Sequence, residues 1–528
     1  MKRRAFLKCT GLCGASVYVP ASLTISSLLN EAYAASPDYE AVNYSPPDTD
    51  LLNASTGAFP QVINIFLYGG PSELAGNLTN IQELNATSEN SYTGSLGGDI
   101  IELQRNGGLI TRHGFWSGAG GDAMQFLVDQ KHMSVYRTMM KRAEDTQSHR
   151  QSIFMNQKGT LDIDDSPGIG TRIAKMLEVH AGNMNFPHPV LGSSRTLQDL
   201  ILPFVSFEGE TVLYAPDLDD PLHSLRLKAV TMNENFENPY SRTPATNTNN
   251  TALTNLVNAV QTAAVRARYS KVIDSFKLRD LMDGYIGTLQ TAFNADLPSA
   301  AIMAPEDSAE DIVNGLLRYP NNSFGRQLRA AVTLAIENPD SKFITVSNGG
   351  LGGFDDHNNG VDNYPDRMEQ LFTALRVAMK HIKYSGRQNG FMLTPGGATT
   401  GLSRRTDNII INVFGDFGRR VNLNNSMGWD HGNCQVFYTL GGSAVRPGGI
   451  SALGKVVGAT RRTGQANTNN QYLEPTSSSY EFEPMSMAAS IYGYFGAQNP
   501  RVMTKDPDFY PSGCTAINEG VAAEPTLF

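Results

Sequence analysis

Four short apolar runs, each closed by glycine, constrain this chain more than any other feature. Val62-Ile63-Asn64-Ile65-Phe66-Leu67-Tyr68 ends at Gly69-Gly70-Pro71, and Phe343-Ile344-Thr345-Val346-Ser347 ends at Gly349-Gly350. Ile409-Ile410-Ile411-Asn412-Val413-Phe414 ends at Gly415, and Val436-Phe437-Tyr438-Thr439-Leu440 ends at Gly441-Gly442. Runs this short and this rich in β-branched and aromatic residues read as buried strands that stop in tight turns. Between them lie helical patterns. Met368, Leu371, Phe372, Leu375, Met379 and Ile382 form one stripe of an amphipathic helix, and Gln327 to Ile336 forms another helical segment. The stretch from Ala252 to Phe293 reads as one or two long helices. Apolar strands alternating with amphipathic helices predict an α/β fold: a doubly wound, mostly parallel sheet with helices on both faces.

The organisation around this frame is simple. Residues 35–58 are rich in Ser, Pro, Asp and Asn and read as an irregular lead-in. Residues 59–528 read as a single large domain interrupted by polar insertions near 237–251 and 464–479. No internal repeat is visible.

The N-terminus carries an export signal. Arg3-Arg4-Ala5-Phe6-Leu7-Lys8 matches the twin-arginine pattern, a weakly apolar stretch follows, and Ala32-Tyr33-Ala34 is a small-x-small cleavage site. A membrane anchor is the alternative, but Thr10, Ser16, Pro20, Ser22, Thr24, Ser26 and Ser27 interrupt the roughly 20 apolar residues that a span needs. Residues 1–34 are therefore expected to be removed, leaving a periplasmic or secreted protein with no membrane attachment. The 528-residue chain has 42 basic and 51 acidic residues; loss of the signal leaves 38 against 50, a net charge of −12. That balance argues against nucleic acid as a partner. Outside the signal remain Cys434 and Cys514, which are either a disulfide or two separate thiols.

In open α/β sheets, sites form beyond the carboxyl ends of strands. Three segments there carry ligand-type side chains beside glycine. They are Gly353-Phe354-Asp355-Asp356-His357, Gly415-Asp416-Phe417-Gly418-Arg419 and Gly428-Trp429-Asp430-His431-Gly432. Any one of these could be ordinary turn chemistry. Together, Asp355, His357, Asp416 and His431 offer the oxygen and nitrogen donors of a divalent-cation site, for zinc or a similar ion. Upstream, Ser148 opens a helix-like stretch and is either a nucleophile or a plain N-cap. Arg150 could orient an anionic substrate through a bidentate contact.

These residues, in this order, resemble the bacterial exported family called domain of unknown function 1501, a branch of the alkaline phosphatase-like (sulfatase-like) superfamily. The resemblance rests on Gly69-Gly70-Pro71-Ser72, Ser148-His149, Gly353 to His357, Asp416 to Arg419, Trp429-Asp430-His431 and the C-terminal Pro484 to Ile491 with Phe495-Gly496. It implies an alkaline phosphatase-like fold and a two-metal hydrolase of phosphate or sulfate esters. Ser148 would then be the nucleophile, Asp355 and His431 with His357 would hold one ion, and Asp416 would help to hold the other. Two departures stand out. Ala75 occupies a place where the family carries Asp, leaving Glu73 as the substitute ligand, and Phe417 replaces an imidazole of the second ion site. The expectations are thus a metal-dependent ester hydrolase or, alternatively, a catalytically depleted secreted protein. The hydrolase would act on an anionic ester or a polysaccharide; the depleted protein would bind a protein partner or a surface polysaccharide.

Overall fold

The computed structural model describes residues 37–49, 59–73, 111–188, 191–220, 227, 229–237, 282, 284–294, 318–388, 406–461, 474–504 and 515–526. The expected export signal, Ala75, Cys514, most of both polar insertions and most of the 252–293 stretch lie outside the described residues.

Among the described residues, an eight-stranded sheet runs through the protein. Its centre is β1 (Gln61–Leu67), flanked by β5 (Phe343–Ser347) and β6 (Ile409–Gly415). Both pair with β1 in parallel, with Ile63 opposite Ile344 on one side and Ile411 on the other. Beyond β5 lie β3 (Phe204–Ser206) and β4 (Val230–Thr231), also parallel. On the other side, β9 (Cys434–Gly441) is antiparallel to both β6 and β2 (Met133–Met140), and β10 (Val456–Val457) closes that edge parallel to β2. Seven of the eight strands therefore share one direction and only β9 opposes them.

Alternation along β1 explains the layering. Ile63, Ile65 and Leu67 join one core with Leu328, Leu334, Met368, Phe372 and Leu375, while Val62 and Phe66 join a second with Ile173, Leu177 and Ile491. Helices Ser323–Glu337 and Gly360–Gln388 thus cover one face, and helices Ile169–His180 and Pro484–Tyr494 cover the other. The expected α/β sheet with helices on both faces is what forms. Asn322 starts the first of these helices by accepting the Gly325 N–H at 2.7 Å. No helix among the described residues is long and apolar enough to cross a membrane.

Two features depart from the strand pattern. Strand β2 has the sequence Met-Ser-Val-Tyr-Arg-Thr-Met-Met, with a buried Arg137 and few β-branched residues, so it carries no apolar run. The reversed β9 follows from a short excursion. After β6 the chain makes an antiparallel hairpin, β7 (Gly418–Leu423) with β8 (Trp429–Gly432), and re-enters the sheet from the edge it has just left. The beginning of β9 therefore lies at the same edge as the ends of β1, β5 and β6.

Candidate metal centre

That shared edge is where the ligand-type residues meet. Asp355 arrives on the loop after β5, and Asp416 follows β6 directly. Arg419 and His431 are cross-strand partners in the β7–β8 hairpin. His149 is the first residue of helix His149–Lys158. One ligand atom each from His149, Asp355 and His431 lies within 4.8 Å of the other two.

The loops are held by backbone contacts that demand glycine. Gly69 has φ +110°, and a Cβ there would come within 2.5 Å of Asp355 N. Its own N–H donates to both Asp416 oxygens, at 3.1 and 3.2 Å, and its carbonyl accepts from Arg419 Nη2 at 2.6 Å. Phe354 N donates to Tyr68 O at 3.0 Å and Trp429 N to Asp356 O at 2.8 Å, which ties the Asp355 loop to β1 and the hairpin. Arg419, fully buried, further donates to Gly70 O at 2.6 Å, Trp429 O at 2.7 Å and Asp355 Oδ1 at 2.5 Å.

Around Asp355 Oδ1 stand three imidazole Nε2 atoms: His357 at 3.4 Å, His149 at 3.5 Å and His431 at 3.8 Å. His149 Nδ1 bonds to the buried Asp416 carboxylate at 2.8 Å, so it carries the proton and Nε2 keeps its lone pair. His431 Nδ1 bonds to Gln147 O at 2.9 Å, which fixes the same tautomer there. His357 Nε2 lies 2.8 Å from His431 Nε2, and its Nδ1 faces Asp430 at 3.3 Å. The charge states diverge accordingly. The hydrogen bond to Asp416 raises His149 above the ordinary imidazole value. Burial, reinforced by Arg419 and the two other imidazoles, depresses His431 to about 4. Burial opposes ionisation of Asp355, but Arg419 and the nearby imidazoles hold its carboxyl below the usual range.

No family model, curated protein or solved structure matches the chain.

The donor set fits a divalent cation on its own chemistry. His149 Nε2 is buried and has no hydrogen-bond partner among the described residues. Ligand atoms at zinc-type bond lengths of 2.0–2.1 Å on a tetrahedron sit about 3.4 Å apart, close to the separations from Asp355 Oδ1 to the imidazoles. Two imidazoles and one carboxylate form a three-ligand set that leaves a position open. Asp416 and Gln147 O supply the outer hydrogen bonds that orient such ligands.

The expected site residues sort as follows. Asp355, His431 and His357 converge. Asp416 arrives at the site, but as the carboxylate that orients His149, because its own oxygens are taken by Gly69 N and His149 Nδ1. Glu73 does not join the group. It is buried, its Oε2 accepts Val436 N at 2.9 Å, and burial holds its carboxyl well above the ordinary range. Ser148 is exposed and is the N-cap residue of the His149–Lys158 helix, making no side-chain cap bond. Arg150 is exposed, with its guanidinium 5.7 Å from the Phe154 ring centre. Cys434 is a buried free thiol near Arg137 O at 3.4 Å. His149 is the member of this group that the residue pattern left out. Its trace in the sequence is the Ser148-His149 pair at the start of a helix.

Phe417 shapes one side of the group. Its ring lies 4.6 Å from that of His149 and 4.3 Å from that of His431, with Lys141 Nζ 5.0 Å from its centre.

Proposed function

We propose that this chain is an exported, metal-dependent hydrolase of phosphate or sulfate esters, built on an alkaline phosphatase-like fold and related to the domain of unknown function 1501 family. The twin-arginine pattern at Arg3-Arg4 supports export to the periplasm or beyond. The observation that carries the reading is the convergence of His149, Asp355 and His431, drawn from three distant segments to within 4.8 Å at the carboxyl edge of the sheet.

His149, Asp355 and His431 would hold the cation, zinc being one that this donor set suits. A bound cation would supply Lewis-acid polarisation of an ester oxygen. Asp416 keeps the His149 proton on Nδ1, and Gln147 O does the same for His431. Arg419 holds Asp355 in place from beneath. Ser148, exposed beside His149, is the hydroxyl available as nucleophile, and Arg150 is an exposed cation for an anionic substrate.

The test pairs metal content with turnover. The mature protein should contain a divalent metal by elemental analysis and should cleave at least one member of a phosphate and sulfate monoester panel with added zinc, manganese or calcium. His149→Ala, Asp355→Ala and His431→Ala should each lose metal and activity together. Absence of turnover with every metal, together with unchanged metal content in these variants, sinks the reading.

Phe417 favours a second reading. An apolar ring against both imidazoles, where the resemblance calls for a further ligand, suits a one-ion binding protein that no longer turns over substrate. Stoichiometric metal with no activity, and a partner protein or polysaccharide retained through purification, would select it.

A further inference from the structure

Lys141 directly follows β2, and its backbone is fixed on two sides. Its own N–H donates to Asn433 O at 3.3 Å, and the N–H groups of Arg142 and Ala143 donate to Oε1 of the buried Glu483 at 2.9 and 3.2 Å. From that anchored position the side chain turns inward. Nζ donates to Thr146 O at 2.8 Å and to Ser152 Oγ at 2.6 Å, three residues before His149 and three after it. The ammonium thereby clamps the end of the incoming loop to the first turn of the His149–Lys158 helix.

Both arms of the clamp lead to the centre. Gln147 follows Thr146 in the chain, and its carbonyl accepts His431 Nδ1 at 2.9 Å. Ser148 N donates to Thr146 Oγ1 at 3.2 Å, and Ser152 N donates to Ser148 O at 2.9 Å, so the residue before His149 is tied to both clamped residues. The Phe417 ring links the lysine to the imidazoles, being 5.0 Å from Nζ, 4.6 Å from His149 and 4.3 Å from His431. The arrangement costs stability. Burial strips the ammonium of its hydration and lowers Lys141 to about 7, which Asp416, Asp145, Glu483 and Glu144 offset only in part. A methionine at the same place would carry no such cost, but it would hold neither Thr146 nor Ser152.

We propose that Lys141 is a positioning residue for the candidate metal centre, acting through Thr146 and Ser152 to keep Gln147 O against His431 and His149 Nε2 facing Asp355. The inference rests on the metal-binding reading given above and extends it to a residue outside the ligand group.

Competition titration of the mature protein with zinc or manganese against a chelator, run beside thermal melting of the metal-free protein, tests it. The two readouts should move in opposite directions. Lys141→Met should raise the melting temperature at pH 6 and yet weaken metal binding about tenfold, the lower end of the loss when an outer contact that orients a ligand is removed. A lysine with a merely structural role would not separate them. Ser152→Ala removes one arm of the clamp and should weaken binding in the same direction by less. Lys342 is another buried lysine, just before β5, whose Nζ donates to Pro339 O at 2.7 Å; Lys342→Met should leave metal affinity unchanged. Parental affinity in Lys141→Met overturns the proposal, as does an equal loss in Lys342→Met. Should Lys141→Met fail to fold, unchanged affinity in Ser152→Ala overturns it. A parent that binds neither metal overturns the metal-binding reading and this inference together, whereas a metal-binding parent matched by Lys141→Met overturns this inference alone.

Discussion

Asp416 Oδ2 and His149 Nδ1 lie 2.8 Å apart across 267 residues of sequence. The carboxylate is fully buried and the imidazole half-buried, so a charged acceptor fixes one tautomer of the ring and aims its free nitrogen at Asp355. This is how outer residues orient metal-binding histidines. Asp416→Asn should lower metal affinity about 10–100-fold while the chain still folds. Competition titration against a chelator checks this; an unchanged affinity would mean that Asp416 only braces Gly69.

The metal-free protein should show two histidines titrating on opposite sides of the ordinary value. His149 should titrate above 6.5 because Asp416 favours its cation, and His431 at about 4 because burial and Arg419 oppose its cation. The signs on stability are opposite. The His149 contribution is present below pH 6.5 and fades as pH rises through its raised folded value. The His431 contribution is lost as pH falls from 6.5 towards about 4, where the unfolded ring is protonated and the folded ring is not. Imidazole NMR titration distinguishes the two rings. Coincident curves would contradict the tautomers assigned here.

Arg419 is the buried hub that joins β1, the Asp355 loop and the hairpin. Arg419→Met would remove the ion partner of the half-exposed Asp355 and leave the carbonyls of Gly69, Gly70 and Trp429 without their donor, a loss of about 1–3 kcal/mol for each acceptor left unpaired in the interior. Arg419→Lys should recover only part, because an ammonium lacks the planar fork. Chemical denaturation of the three proteins checks the order.

Lys141 is a fully buried ammonium that donates to Thr146 O at 2.8 Å and Ser152 Oγ at 2.6 Å. Burial lowers it from 10.5 to about 7. Between those values the unfolded chain binds a proton that the folded chain does not, so stability from this group rises with pH from about 7 to 10.5. Lys141→Met removes a penalty of a few kcal/mol that is largest below pH 7, less about 1 kcal/mol for each hydrogen bond lost. The melting-temperature gain over the parent should therefore be greater at pH 6 than at pH 9. A gain that does not depend on pH would show that the lysine is not desolvated.

Much of the frame was legible from residue types alone. Strands β1, β5, β6 and β9 were marked by apolar runs because a strand covered on both faces tolerates little polarity; β6 and β9 end at the expected glycine, and β1 and β5 stop two residues before theirs. Strand β2 was not legible, since methionines and a buried Arg137 carry no strand signature. The reversal of β9 was equally hidden. Local pattern shows that a segment is a strand but not which way it runs, and direction came from the β7–β8 hairpin returning the chain to the edge it had left.

The site divides along the same line. Asp355 and His431 were marked by glycine-flanked segments near strand ends, where turn chemistry and ligand chemistry coincide. Which carboxylate faces an ion and which orients a ligand is a matter of the partners of each oxygen. Asp416 is claimed by Gly69 N and His149, Glu73 by Val436 N, and neither pairing has any trace in residue type or spacing. The sequence by itself determined the layered α/β frame and the segments that bear charged donors, because hydrophobic period and turn chemistry are local. Only the tertiary structure decided that His149 completes the group and that Glu73 is excluded from it, because those assignments depend on contacts between residues hundreds of positions apart.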